Sequence, residues 1–420
     1  MYMEIRNSKT EMPLFKVKGE KFIFVGEKTI MKLSDMCIMF GDGDWIESKD
    51  QSDDGIRLLQ TGNIGEGKFL EKEGKERFIS RETFEKLKCK EVFSGDILIS
   101  RLPEPVGRAC LVPEKKQRMI TAVDCTICRI DDKKIRRRYL CYYLQSANYY
   151  TQLKNSITGT TRKRISRKNL GNIEIKIPSD KKQEEVIKQL DLIVEIIDNK
   201  KKKLQLLDTL VKSRFAEMFG NPLNGTAKYP IHQVGEVANS VDPQPSHRTP
   251  PVEEDGVPYV SIKDCDYKTG KIDFEGARKV SPKVLEEHLN RYTLHEGDFV
   301  IGKIGTIGNP VFIPARDDYT LSANIVLVQP NRELVSPYFL KYSFESDFVE
   351  RQFAEAKNST SQAAFGIQKV RTVKVMNPDL DVQNKFENFV QQVDKSKSKI
   401  QKSLEETQLL FDSLMQKYFG

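Results

Sequence analysis

The residues with the most pointed chemistry lie early in the chain. Gly62, Gly67 and Lys68 stand at the spacing of a phosphate-binding loop, directly after the apolar run 56–59. Such a loop holds phosphate oxygens on backbone N–H groups and needs a hydroxyl after the lysine to reach magnesium. Phe69 occupies that place. A second stretch, Thr269-Gly270-Lys271-Ile272, repeats the Gly-Lys pair without the first glycine. A Gly-Lys hairpin turn shared by two copies of one unit is the better account. Cys125 and Cys128 have the C-x-x-C spacing used for zinc or redox work. In a strand, however, residues three apart point to opposite faces. Ile325 and Val328 take the corresponding places further along, so both cysteines read as small apolar residues. The four histidines, His232, His247, His288 and His295, lack metal-ligand spacing and read as surface residues. A glycine-rich cofactor loop followed by an Asn-Pro-Pro-aromatic tetrapeptide is absent, as is a nuclease carboxylate cluster. An enzyme reading therefore has no residues to stand on.

Basic and polar loop chemistry remains. Gly159 leads into Thr160, Thr161, Arg162, Lys163 and Arg164, a cationic loop of the kind that contacts phosphates or reads guanine bidentately. Its counterpart runs through Asn358, Ser359, Thr360, Ser361 and Gln362, where the glutamine suits adenine. Arg101 and Lys303 each follow a Gly-Asp strand, and Arg108 aligns with Asn309. A further polar loop carries Arg57, Gln60, Thr61 and Asn63, with Lys263 in the second copy. Trp45, the single tryptophan, suits core packing and base stacking equally. We expect these loops to enter the major groove while Lys and Arg hold phosphates. A chain of 420 residues with 68 Lys and Arg against 60 Asp and Glu carries a net charge of +8, which favours a polyanionic partner without naming one.

The elements that must position these loops come twice. Ser213 to Gly220 recurs as Ser413 to Gly420, and both copies end in Phe-Gly. Upstream, Pro178 and Gln183 fall on Pro378 and Gln383, and Gly95-Asp96-Ile97-Leu98-Ile99 answers Gly297-Asp298-Phe299-Val300-Ile301. Each copy closes with a helix whose apolar positions step by threes and fours, Val186, Leu190, Ile193 and Ile197 in the first, Phe386, Val390 and Val393 in the second. Lys200, Lys397 and Thr407 are its polar members, and Asp180 with Gln183 has capping-box spacing. A helix of about 35 residues is roughly 50 Å long, too long for one small domain, so the two helices are expected to pair antiparallel. The globular parts, 31–177 and 232–377, read as short β-branched strands interrupted by helical stretches. The fold expected is α+β: two pseudo-twofold-related domains separated by two long helices packed as an antiparallel coiled coil. Its boundaries are an arm at 1–30, a domain at 31–177, a helix at 178–220, a linker at 221–231, a domain at 232–377 and a helix at 378–420. With 38% hydrophobic residues the chain can build ordinary cores. Seven cysteines without an export signal read as reduced thiols, and no run of about 18 apolar residues occurs. The expectation is a cytoplasmic protein with no membrane contact.

In these features the chain resembles the specificity subunits of type I restriction-modification systems. The resemblance covers nearly all of it and rests on the Gly95 strand, the Gly159 loop leading to Ile165 and Leu170, the Pro178 and Gln183 helix start, and the Phe219-Gly220-Asn221-Pro222 junction. It implies that the two domains are target-recognition domains, each reading half of a split, asymmetric site on double-stranded DNA, with the helices as spacer. It implies also a non-catalytic subunit assembled with two methyltransferase subunits and two ATP-driven restriction and translocase subunits. No cofactor would be bound by this chain; S-adenosylmethionine, ATP and magnesium would belong to those partners. The assembled complex would be an adenine-specific methyltransferase and site-specific endonuclease. The alternative is a stand-alone bipartite DNA-binding regulator.

Overall fold

The short β-branched runs fold as strands, and the computed structural model places them in two compact units. It describes residues 4–5, 14–15, 29–246, 248–267, 269–303, 307–358 and 365–420. One unit runs to Asp198 and takes in Glu405–Gly420; the other is Asn199–Leu404. Near the N-terminus β1 (Glu4–Ile5) pairs antiparallel with β2 (Leu14–Phe15).

In the first unit the element order is β3 (Thr29–Lys32), β4 (Cys37–Asp42), β5 (Ile56–Leu59), β6 (Phe78–Ile79), α1 (Arg81–Leu87), β7 (Glu91–Val92), β8 (Ile97–Ser100), β9 (Ala109–Leu111), β10 (Met119–Thr121), β11 (Cys125–Ile130), α2 (Arg137–Tyr143), α3 (Ala147–Lys154), α4 (Arg167–Gly171) and β12 (Glu174–Ile177). One sheet has the order β4-β11-β8-β9, all antiparallel; a second has the order β6-β5-β10-β7, with β5 and β10 parallel. The central strand β11 is covered on both faces, which is why its run is almost continuously apolar. Cys128 faces one core with Ile97, Tyr139 and Leu140, while Cys125 faces another with Leu98 and Ile127. The two cysteines therefore lie on opposite faces, as the spacing requires. Gly65 N–H donates to Lys68 O across the Gly-Lys turn, closed by a bridge between Ile64 and Phe69.

The second unit repeats this order with β13 (Ile231–Gln233), α6 (Val234–Val237), β14 (Ala238–Val241), β15 (Val257–Val260), β16 (Cys265–Asp266), β17 (Lys271–Ile272), β18 (Arg278–Val280), α7 (Pro282–Leu289), β19 (Phe299–Gly302), β20 (Gly308–Phe312), β21 (Thr320–Leu321), β22 (Ile325–Pro330), α8 (Pro337–Phe344), α9 (Asp347–Asn358), α10 (Ile367–Arg371) and β23 (Lys374–Met376). Its sheet β14-β22-β19-β20 matches the first unit's β4-β11-β8-β9, and β18-β15-β21 matches β6-β5-β10 of the second sheet, with no counterpart of β7 among the described residues and with β15 and β21 again parallel. The Gly-Lys turn recurs between β16 and β17.

The repeated Gly-Asp pair has a structural reason. Gly95 and Gly297 sit at φ +88° and +86°, a conformation that costs a residue with a Cβ. The carboxylates that follow are both 3% exposed. Asp96 accepts from Phe93 N–H and from Arg129; Asp298 accepts from His295 N–H and from the Gln329 amide. Each aspartate thus closes the turn that starts a central strand.

Two helices of 40 residues, α5 (Asp180–Phe219) and α11 (Leu380–Phe419), complete the units. In the first unit Val186 and Leu190 of α5 share a core with Met415 and Phe419 of α11, where Phe419 lies against Tyr139 and Tyr143 with centroids 5.2 and 6.0 Å away. In the second unit Phe219 is fully buried against Phe215, Phe339 and Phe386 at 4.8, 4.7 and 5.5 Å. There Lys200 Nζ donates to Ser403 O at 2.8 Å, Asp208 pairs with Lys397 at 2.7 Å, and Phe215 meets Phe386. One index rises as the other falls, so the two helices run antiparallel within that unit. Lys200 and Lys397, polar positions of the seam, thus bond across to the facing helix. The capping-box spacing at the helix start is used differently from the expectation. Gln183 accepts from Arg136 N–H and donates to Pro178 O, while Gln383 accepts from Ser336 N–H and donates to Pro378 O. Gln183 thus ties α5 to the start of α2 and Gln383 ties α11 to the start of α8, and the Asp180 carboxylate pairs with Arg136 instead of capping.

Candidate nucleic-acid interface

In the first unit β4, β5, β8 and β10 all end at one rim, and backbone bonds stitch the segments that leave them. Asp44 N–H donates to Thr121 O, Ala122 N–H to Leu59 O, and Arg101 N–H to Asp124 O, each at 2.9 Å. Ile165 N–H reaches Arg101 O at 3.2 Å, which brings the end of the cationic loop to the same place. Arg108 then clamps two loops. Its Nε donates to Ile64 O at 3.0 Å, Nη2 to Thr61 O at 3.2 Å and Nη1 to Pro103 O at 3.2 Å. The polar loops expected to act together are therefore one surface.

That surface sorts the candidate residues by burial. Thr160, Thr161, Arg162, Lys163 and Arg164 are all exposed. Their loop is closed by a pair of 2.9 Å bonds between Thr158 and Arg164 backbones. Gly159 sits at φ +98°, where a Cβ would stand 2.4 Å from Arg162 O, so the tight turn needs glycine. Lys163 pairs with Glu104 at 2.8 Å; among the described residues Arg162 and Arg164 have no ion-pair partner. Trp45 is 71% exposed, with Nε1 3.4 Å from Glu47 Oε1, which removes the core-packing reading.

Other candidates turn inward. Arg57 is 6% exposed in β5, its guanidinium over the Phe78 ring and its Nη1 buried without a partner. Asn63 is 4% exposed and holds the turn, accepting from Gln60 N–H and donating to Leu70 O. Gln60 and Thr61 are half-buried beside it. Arg101 donates to Val123 O at 2.8 Å and stands 3.3 Å from Asp42. For Arg101 the sequence could not show this, because Val123 and Asp42 are distant along the chain.

The second unit has the same rim. Ser322 N–H donates to Val260 O, Lys303 N–H to Asn324 O, and Phe365 N–H to Lys303 O. Lys303 is 6% exposed and its Nζ lies 2.7 Å from Asp242. Lys263 is exposed in a turn held by Ser261 N–H donating to Asp264. Asn309, half-buried, takes a left-handed φ of 54°. Ser359, Ser361 and Gln362 lie outside the described residues.

Two features escaped sequence reasoning. Arg167, exposed at the start of α4, brings a second cation to Asp42 at 3.5 Å. His288, expected at the surface, is 3% exposed. Its ring bonds to Thr320 and Gln244, and the hydroxyls of Tyr292 and Thr320 share a hydrogen bond at 3.1 Å. Burial lowers its pKa, with Arg291 adding to the effect. Among the described residues no group of three or more His, Cys, Asp or Glu could hold a metal ion, and no helix is long and apolar enough to cross a membrane.

Known proteins point to one family. Residues 26–209 and 252–407 match the type I restriction modification DNA specificity domain. The chain is similar to the EcoBI type I restriction enzyme specificity subunit of Escherichia coli, 16% identical over 322 residues that span 70% of this chain and 67% of that one. A Haemophilus influenzae type I restriction enzyme specificity subunit is 21% identical over 259 residues, 60% of this chain and 63% of its own length. Among solved structures, a type I restriction-modification S subunit from M. genitalium shares the fold at a TM-score of 0.54 and 15% identity, covering 93% of this chain and 96% of that one. A chain from a type I restriction-modification system, solved in work on complex assembly and conformational transition, does so at 0.52 and 16%, covering 93% and 97%.

Proposed function

From the premise that the chain belongs to the type I restriction modification DNA specificity family, we propose that it reads a bipartite, asymmetric DNA site, one half with each unit. The observation that carries this is the doubled rim. The same stitched strand ends recur in both units, yet the sequences of the loops differ, with Arg162 and Arg164 in one and uncharged Ser361 and Gln362 at the corresponding positions of the other. A common scaffold with unlike loops suits two unlike half-sites. The helices α5 and α11 act as spacer. The chain itself is non-catalytic and cytoplasmic, and it directs two methyltransferase and two restriction subunits, which carry S-adenosylmethionine, ATP and magnesium. The domain limits proposed are those of the sequence reading, with target-recognition domains at 31–177 and 232–377.

Selection from randomised duplexes by the full chain with its methyltransferase subunit tests the reading. A split motif is expected; a single contiguous motif, or none, would refute it. Within that motif, Arg162→Ala with Arg164→Ala should weaken binding by about 1–3 kcal/mol per lost base contact, at one half-site only. Equal loss on unrelated DNA would mean that the loop holds phosphates without reading bases.

A further inference from the structure

Arg101 and Lys303 are cations at the DNA-facing rim, yet neither is free to meet DNA. Arg101 donates from its guanidinium to Val123 O at 2.8 Å and Ile165 O at 3.4 Å and stands as an ion pair 3.3 Å from Asp42, with its side chain 14% exposed. Lys303 holds Asp242 at 2.7 Å with its side chain 8% exposed. The two positions are equivalent in every described backbone bond. Each follows the last residue of a central strand, donates to the residue before the next strand, and accepts on its carbonyl from the residue that ends a candidate reading loop. Those residues are Ile165, which follows the loop 158–164, and Phe365, which follows the corresponding stretch of sequence.

We propose that Arg101 and Lys303 are positioning residues for sequence reading, each holding the base of its unit's reading loop against an aspartate at the end of the first sheet strand. This rests on the DNA reading proposed above. The side chain fixes the strand end, the strand end presents a carbonyl, and the carbonyl fixes where the loop re-enters the fold. A half-ångström of slack there moves base-reading side chains out of hydrogen-bond range. Asp42 has other partners, Arg167 at 3.5 Å and the Thr126 hydroxyl at 3.0 Å, so it is the node of the first unit's device. That one unit uses arginine and the other lysine shows what the site requires: a cation long enough to reach the aspartate, not a bidentate fork.

The test uses the full chain assembled with its methyltransferase subunit and the duplex obtained by selection. Discrimination is measured at each half-site as the ratio of affinities for the selected and a scrambled half, across a salt series, with thermal unfolding followed in parallel. Arg101→Ala should lower discrimination roughly tenfold at the first unit's half-site, about 1.4 kcal/mol, and leave the other half-site unchanged. Lys303→Ala should do the reverse. The slope of log affinity against log salt should stay that of the wild type, because no phosphate contact is lost. Arg101→Lys should restore discrimination, and Asp42→Asn, which keeps the side-chain shape, should reproduce the loss with the fold intact. A uniform loss on all sequences with a slope shallower by about one would show direct phosphate contact and overturn the proposal. Unchanged discrimination in Arg101→Ala or in Asp42→Asn would also overturn it. Absence of sequence-selective binding by the wild type would instead refute the DNA reading on which it depends.

Discussion

The two units solve one problem with different charges. In the first, the buried carboxylate of Asp96 meets a guanidinium, Arg129 Nη2 at 2.9 Å; in the second, Asp298 meets the neutral amide of Gln329 at 2.7 Å. Burial raises the Asp298 pKa, and the Gln329 amide, the His295 N–H and the nearby charges of His295 and Arg332 only partly offset it. The loop bases differ likewise, Arg101 against Lys303, and the exposed Trp45 of the first rim has a proline, Pro245, near its place in the second. What stays the same is backbone: strand order, the left-handed glycine before each aspartate, and the glutamine at each long-helix start. The lesson is that the repeat preserves hydrogen-bond geometry and lets the side chains that supply it drift.

The largest expected effect tests the shared part. Phe219→Ala and Phe419→Ala each empty an aromatic site at the end of a long helix and should cost about 3–5 kcal/mol. Hydrogen exchange should show the loss in the second unit for Phe219 and in the first for Phe419. If both substitutions loosened the same unit, the equivalence of the two helix ends would fail.

Next in size are the glutamines. Gln383 is fully buried and donates to Pro378 O at 2.7 Å while accepting from Ser336 N–H at 2.7 Å. Gln183 makes the matching pair at 3.0 and 2.9 Å. Gln383→Ala leaves a buried N–H unpaired and should lower unfolding stability by about 1–3 kcal/mol. Gln183→Ala should cost less, since the Arg136 N–H it releases lies beside a half-buried residue. Chemical denaturation of both variants checks the order, and a larger loss for Gln183 would break it.

A smaller effect separates the units by pH. All four histidines belong to the second unit. His288 has a pKa lowered by burial, so its folded form resists protonation while the unfolded chain takes up a proton near pH 6.5. The second unit is at full strength above about pH 6.5 and loses stability as pH falls from there toward the folded pKa. The first unit has no such component. Hydrogen exchange at pH 7.5 and 5.5 should show selective weakening of the second unit, removed by His288→Gln. Equal weakening of both units would assign the effect to other groups.

The smallest effect concerns Trp45. At 71% exposure its replacement by Ala should change stability by no more than about 0.5 kcal/mol. As the single tryptophan, it also reports binding. DNA carrying the first unit's half-site should quench its fluorescence more than DNA carrying only the second's, and equal quenching would detach Trp45 from the first rim's reading surface.

Much of this architecture was legible before any coordinates. Self-similarity exposed the repeat, and the period-two rule placed Cys125 and Cys128 on opposite faces of β11, where they lie in separate cores. The Gly-Lys turns and the seamed helices followed from local chemistry. The candidate site was legible only as a set of loops. Which of their residues face solvent was not, because Arg101 and Lys303 bond to partners far along the chain, while Arg57 lies over the Phe78 ring and Asn63 turns inward to hold its own turn. The same holds for His288, whose partners Gln244 and Thr320 come from two other segments.

By itself, then, the sequence determined what depends on neighbours along the chain: strand periodicity, helix seams, the glycines that only a left-handed turn requires, and the duplication that multiplies every such signal. Tertiary structure alone decided which cations hold the scaffold and which stay exposed to solvent. A charged side chain looks the same in sequence whether it is solvated at Arg162 or bonded inward at Arg101. Only the arrival of carbonyls and carboxylates from distant segments satisfies the second and leaves the first exposed.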